Sequence, residues 1–216
     1  MSRLILYPPM KSDTFYKMPD TVTETNYLCF SRNRILQSME LSDNYIIRLI
    51  ATQGADITNL SYSLYMFLTS LTSVTVSENN TRYKSVNGMI YTKDGRQFLY
   101  CGPGVTEVHI EDGCEYMATA SIGAISNESV YWAIPSYNYL RVKVYLPASV
   151  SSVDSHYVRD LAKYLDFYVD ENNPYYTTEE VSDSHGNYHK LVRKWSCARL
   201  KTDHLLVGKK SLLHKS

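Results

Sequence analysis

Leu71-Thr-Ser-Val-Thr-Val-Ser-Glu-Asn-Asn-Thr-Arg-Tyr83 and Tyr164-Leu-Asp-Phe-Tyr-Val-Asp-Glu-Asn-Asn-Pro-Tyr-Tyr176 are two versions of one phrase. Val76 falls on Val169, 93 positions later, and Glu78, Asn79, Asn80 and Tyr83 fall on Glu171, Asn172, Asn173 and Tyr176. Leu6-Tyr7 and Leu99-Tyr100 match at the same offset of 93, each followed by a proline-containing turn. Met18-Pro-Asp20 and Ile110-Glu-Asp112 agree at 92. Independent matches at one spacing mean that the chain repeats itself, and a repeat constrains the fold more than any local propensity.

Inside the long period lies a shorter unit, apolar-x-x-apolar-x-apolar. It occurs as Leu36-Gln-Ser-Met-Glu-Leu41, Leu71–Val76, Val105-Thr-Glu-Val-His-Ile110 and Tyr164–Val169, with a looser copy at Val142-Lys-Val-Tyr-Leu146. The last two apolar residues stand two apart, the period of a strand with one buried face. One strand per unit of about 20–29 residues is the pattern of a leucine-rich-repeat solenoid. Such a unit cannot bury its apolar edge alone, so neighbours stack on a shared core.

Local signals fill in the unit. Thr92-Lys-Asp-Gly95 lies between the apolar runs Val86–Tyr91 and Gln97–Tyr100, and Asp-Gly predicts a β-hairpin there. A second hairpin is expected from Tyr188–Trp195 and Cys197–Leu206. Glu-Asn-Asn after a strand predicts a turn whose Asn side chains bond nearby backbone. Tyr157, Val158 and Leu161 stand at helical spacing, which predicts a short helix within Asp154–Lys163.

These phrases resemble those of the BspA-type leucine-rich repeat family. The hairpin-bearing stretch Asn79–Gly104 carries the resemblance most specifically. Leu4-Ile-Leu-Tyr-Pro-Pro9 with Met18-Pro-Asp-Thr-Val-Thr-Glu24, and Tyr145-Leu-Pro-Ala-Ser-Val-Ser-Ser-Val153, resemble its other recurring phrases. The resemblance covers most of residues 4–178 and fades at 45–65 and 115–138. It implies an α/β repeat: a right-handed solenoid, one short strand per unit, with β-hairpin insertions and short convex helices. The expected organisation is one domain over 1–216, with the best-matched units at 1–44, 66–113 and 140–178 and a hairpin cap and tail at 179–216. The family's proteins are surface and secreted proteins of host-associated microbes, which implies non-catalytic binding of another protein or a surface glycoconjugate. A structural or assembly role, in a virion or an intracellular scaffold, is the alternative.

Composition agrees with a folded, neutral binding module. Of 216 residues 44% are hydrophobic, and 22 Lys and Arg balance 22 Asp and Glu. Nucleic-acid binding needs a surplus of cations to displace phosphate counterions, and none is present. No stretch approaches the roughly 20 apolar residues of a membrane span, and the first residues do not read as a secretory signal. Tyrosine is abundant, with 20 residues against 5 Phe and 2 Trp; its apolar face and polar tip suit half-exposed binding surfaces.

No chemistry-bearing motif emerges. His185 and His189 are four apart, but Gly186 stands where the zincin motif places Glu. Gly102-Pro-Gly104 is a turn, because Pro103 lacks the amide that a phosphate cradle needs. The four cysteines, Cys29, Cys101, Cys114 and Cys197, have no metal-ligand spacing and are expected as packed thiols. No cofactor, metal or catalytic residue is therefore expected.

The expected binding surface follows from strand alternation. Residues flanking the second apolar position of each unit point away from the core. They are Ser38 and Glu40, Ser73 and Thr75, Glu107 and His109, Lys143 and Tyr145, and Asp166 and Tyr168. The ligand-facing candidates are Glu40, Thr75, Glu107, His109, Lys143, Tyr145, Asp166 and Tyr168, with the aromatic and charged members gathered towards one end. Repeat-like sequence begins by residue 4 without an obvious cap, so an apolar N-terminal edge is expected to self-associate.

Overall fold

The computed structural model describes residues 2–4, 7–8, 11–25, 29–30, 33–45, 68–118, 121–122, 141–158 and 162–194. In chain order the strands are β1 (Ser2–Leu4), β2 (Phe15–Lys17), β3 (Val22–Thr25), β4 (Ser38–Leu41), β5 (Ser73–Val76), β6 (Tyr83–Val86), β7 (Met89–Thr92), β8 (Gln97–Tyr100), β9 (Glu107–His109) and β10 (Tyr116–Met117). They continue as β11 (Val142–Leu146), β12 (Ser152–Val153), β13 (Leu165–Val169), β14 (Tyr176–Asp183) and β15 (Gly186–Arg193). Helix is confined, among the described residues, to α1 (Ser155–Val158) and a 3-10 turn at Ala162–Tyr164.

The repeated phrase forms two three-stranded parallel sheets, β2-β4-β5 and β9-β11-β13. Register follows the sequence unit. Tyr16 lies opposite Met39 and Met39 opposite Val74; Val108 lies opposite Val144 and Val144 opposite Phe167. Met39, Val74, Val108, Val144 and Phe167 are buried, while their neighbours along each strand are partly or fully exposed. That alternation is what a sheet with one face on a core requires. Neighbouring units differ in length: Phe15 pairs with Ser38 and Val142 with Leu165, both 23 residues on, whereas Ser38 pairs with Ser73, 35 on.

Away from these sheets, β1 pairs in parallel with β3, and a five-stranded sheet runs in the order β12-β10-β8-β7-β6. The β7 strand sits at the boundary of two core clusters: Ile90 belongs to the one that holds Phe30, Met39 and Val74, and Tyr91 to the one that holds Val108, Val144 and Phe167. Gly102 shows how closely adjacent units approach, since a Cβ there would lie 2.2 Å from the Leu71 carbonyl oxygen.

Two expectations need correction. The run Val86–Tyr91 is not one hairpin arm; it breaks at Asn87 (φ 51°) and Gly88 (φ 74°), which turn β6 back onto β7, while Thr92–Gly95 joins β7 to β8. Asn-Gly favours this left-handed pair of residues because Gly has no Cβ and Asn tolerates the conformation. The C-terminal hairpin is formed by β14 and β15, so Tyr188–Arg193 is its second arm; residues 195–206 lie outside the described residues. Of the stretch Asp154–Lys163 where a helix is expected, α1 covers Ser155–Val158 and the 3-10 turn begins at Ala162, while residues 159–161 lie outside the described residues.

Cys29 and Cys114 are buried free thiols, and Cys101 is buried as well. Burial pushes the Cys29 thiol up to about 12, which makes it unreactive at neutral pH. Cys197 lies outside the described residues. Among the described residues no helix is long and apolar enough to cross a membrane.

Candidate functional site

The β9-β11-β13 sheet carries one short pattern three times: Glu107-Val-His109, Lys143-Val-Tyr145 and Asp166-Phe-Tyr168. Each central residue is buried and each flanking pair faces outward. Because the strands are parallel and in register, Glu107, Lys143 and Asp166 form one row across the sheet. His109, Tyr145 and Tyr168 form a second.

The charged row alternates in sign. The Lys143 ammonium donates to a Glu107 carboxylate oxygen at 2.7 Å. The hydrogen bond and the cation itself hold the Glu107 carboxyl below its usual range, and the same pair raises Lys143. Asp166 is paired on its far side, where its Oδ1 accepts from the His189 amide at 2.8 Å and lies 2.8 Å from His189 Nδ1. Its Oδ2 accepts from the Tyr168 hydroxyl at 2.8 Å. Burial acts to raise the Asp166 carboxyl, but the His189 and Tyr168 hydrogen bonds outweigh it and the net shift is downward.

The aromatic row is a stack. The His109 and Tyr145 rings lie 4.1 Å apart and 4° from parallel; Tyr145 and Tyr168 lie 4.8 Å apart at 16°. His189, from β15, closes the end of the stack on Tyr168 at 5.5 Å. Strand spacing of about 4.8 Å sets these distances, and each pair contributes about 1 kcal/mol beyond its buried area. A groove of about 350 Å³ runs along the row and is bordered by the carboxylates of Asp112 and Asp170.

Six of the eight residues expected at the binding surface are thus brought together: Glu107, His109, Lys143, Tyr145, Asp166 and Tyr168. Glu40 and Thr75 lie on the other sheet, where Glu40 pairs with Lys17 at 2.9 Å and the Thr75 hydroxyl lies 3.4 Å from the Met39 carbonyl. The two sheets are separated by the β6–β7 turn, whose Gly88 carbonyl accepts from the Val74 amide at 2.8 Å.

Sequence reading weighed His189 only as one of a histidine pair and passed over Arg141. Arg141 holds the C-terminal hairpin: its guanidinium donates to Asp183 at 2.6 Å, to the His185 carbonyl at 3.2 Å and to the Lys163 carbonyl at 3.0 Å. It also stacks 4.2 Å from the Tyr188 ring centroid. No local signal marks the role of either residue, since both act across 21 or more positions of chain. Among the described residues no three metal-ligating side chains come together.

The chain is similar to several solved structures, two of them of leucine-rich proteins. A leucine-rich repeat protein from Eubacterium ventriosum shares 15% identity over 71% of this chain and 42% of its own, with a TM-score of 0.43. The pneumococcal vaccine antigen PcpA shares 18% over 72% of this chain and 38% of its own, with a TM-score of 0.40. A leucine-rich cell surface protein from Faecalibacterium prausnitzii shares 17% over 72% and 41%, with a TM-score of 0.38. The chain spans about two fifths of the length of these structures. No protein-family model matches the chain, and no curated protein matches it.

Proposed function

We propose that this chain is a non-catalytic binding domain, a right-handed leucine-rich-repeat solenoid whose β9-β11-β13 face engages another protein or a surface glycoconjugate. The observation that carries the reading is the pair of outward rows, one of alternating charge and one of stacked aromatic rings, on a rigid parallel sheet. Tyrosine is among the residue types that dominate interface energetics, charges in a fixed row add specificity, and a sheet sets the spacing of both before a partner arrives. The carboxylates of Glu107 and Asp166 are held by neighbouring donors, an arrangement suited to recognition and not to proton transfer. By its resemblance the domain acts at a cell surface or after secretion.

The reading is tested by probing arrays of purified extracellular matrix proteins and cell-surface glycans with the labelled chain. Saturable binding to at least one class is expected. Protease shaving of intact source cells is expected to release peptides from Glu107–Tyr168. An empty array, together with recovery of the chain only after lysis, would contradict the reading and favour an assembly role.

A further inference from the structure

We infer that the outer edge of β9 is a strand-addition site for an extended peptide carrying a basic and an aromatic side chain two residues apart. The inference rests on the binding reading above and names the chemistry of its partner.

In a parallel ladder, successive residues direct their backbone groups to opposite sides of the strand. The Thr106 carbonyl accepts from the Lys143 amide at 3.0 Å, and the Ile110 amide donates to the Tyr145 carbonyl at 3.1 Å. Even-numbered residues of this strand therefore bond to β11. The amides and carbonyls of Glu107 and His109 point the other way, and among the described residues β9 pairs with β11 alone. On that side the β5 strand does not complete the ladder, because the Asn87–Gly88 turn takes up the Val74 amide. A cavity of about 590 Å³ remains, bounded by Asn87, Met89, Gly104 and Val105 and by the free edge at Glu107 and His109.

The outward side chains say what the added strand would carry. Glu107 ends the charged row Glu107–Lys143–Asp166, so the position beside it favours a cation and would continue the alternation of sign. His109 ends the ring stack; one face lies on Tyr145, and its side chain is 63% exposed. A flat aromatic ring beside it extends the stack by one step. On the opposite side of β9 those two places are filled by Lys143 and Tyr145, so the edge is built to receive a second basic-x-aromatic strand of the same kind. Ladder bonds give such complexes their affinity and alternate side chains their specificity.

The test uses the full chain, labelled with 15N, and the capped peptide Val-Lys-Val-Tyr-Leu. Saturating peptide is expected to slow hydrogen exchange of the Glu107 and His109 amides roughly tenfold or more. The Val108 amide, already within the ladder, should change little. Replacing Lys and Tyr of the peptide by Glu and Ser, or N-methylating alternate residues, should abolish the protection. Glu107→Lys should weaken binding of the original peptide and improve that of the Glu-bearing one. Unprotected edge amides at saturation, or equal binding of the N-methylated peptides, would overturn the inference. If that happens while Tyr145 and Tyr168 variants still lose an array partner, the edge inference fails and the broader binding reading stands.

Discussion

Asn80 and Asn173, 93 residues apart, perform the same task in two units. Each is buried, and each side-chain oxygen accepts from the amides two and three residues ahead, Arg82 and Tyr83 in one case and Tyr175 and Tyr176 in the other. Each side-chain amide donates back to an earlier stretch of chain, Asn80 to the Asp43 carbonyl and Asn173 to those of Pro147 and Val150. Asn33 repeats the arrangement with Ile35, Leu36 and Lys11. A buried Asn at this position both forms its own turn and fastens it to the preceding unit. Asn173→Ala leaves two amides and two carbonyls without these partners, and unmatched buried groups cost about 1–3 kcal/mol each. A loss of about 3 kcal/mol in denaturant unfolding is expected, whereas Asn172→Ala, at an exposed neighbour, should cost well under 1 kcal/mol.

Close approach at Gly102 yields a second prediction. A methyl group there meets the Leu71 carbonyl oxygen at 2.2 Å and its carbonyl carbon at 2.8 Å, both backbone atoms that cannot swing aside. Gly102→Ala is expected to destabilise by about 3 kcal/mol or more, through a shift of one unit against the next. Gly113→Ala, with nothing within 4 Å of the added carbon, suffers only the strain of its positive φ and should cost about 1 kcal/mol. Thermal unfolding of the two variants distinguishes contact from backbone strain.

Acid should loosen the C-terminal hairpin. Asp166 and Asp183 both titrate below the usual Asp range, Asp166 through His189 and Tyr168, and Asp183 through Arg141 and the His185 amide. A depressed carboxyl stabilises the fold fully above its unfolded value, about 3.9, and loses that contribution as pH falls through the folded value. Docking of β15 on β13 is therefore expected to hold from neutral pH to about 4 and to weaken below it. The His189 amide, bonded to Asp166 Oδ1, reports this directly by hydrogen exchange. Protection at the His189 amide, the intrinsic rate divided by the observed rate, should fall below about pH 4; an observed rate that only slows in step with the base-catalysed intrinsic rate on acidification would contradict the prediction.

At the other end, Phe15 is half exposed at 50% on the outermost strand of its sheet, while Tyr7 and Phe30, which pack on the neighbouring Tyr16, are covered. If copies associate through this edge, Phe15→Ser should lower the apparent mass seen by light scattering at high protein concentration. An unchanged mass profile for Phe15→Ser would remove Phe15 from any such contact.

The features legible in the sequence were those with a local period. The alternation in Ser38–Leu41, Ser73–Val76 and Glu107–Ile110 predicted strand, buried face and outward pairs because a strand's geometry is written in every second residue. The Asn pairs were legible because an Asn side chain bonds backbone two or three residues ahead. The Asn87-Gly88 turn was also present as a signal, but the apolar residues on both sides hid it within one run. The grouping of Glu107, Lys143 and Asp166 into a row depends on parallel register across 36 and 23 residues. No local pattern encodes that register, nor the reach of His189 and Arg141 across the sheet edge.

The central claim is that the β9-β11-β13 face is the binding surface. The measurement that bears on it most directly compares three proteins against the strongest array partner: the natural chain, Tyr145→Ser/Tyr168→Ser, and Glu40→Ala/Thr75→Ala as a control on the other sheet. All three should unfold cooperatively, with the tyrosine variant less stable by about 2 kcal/mol. Loss of affinity of at least about tenfold, some 1.4 kcal/mol, in the tyrosine variant alone is the predicted result. Equal affinity for all three proteins, or a loss confined to the Glu40/Thr75 variant, would contradict the account.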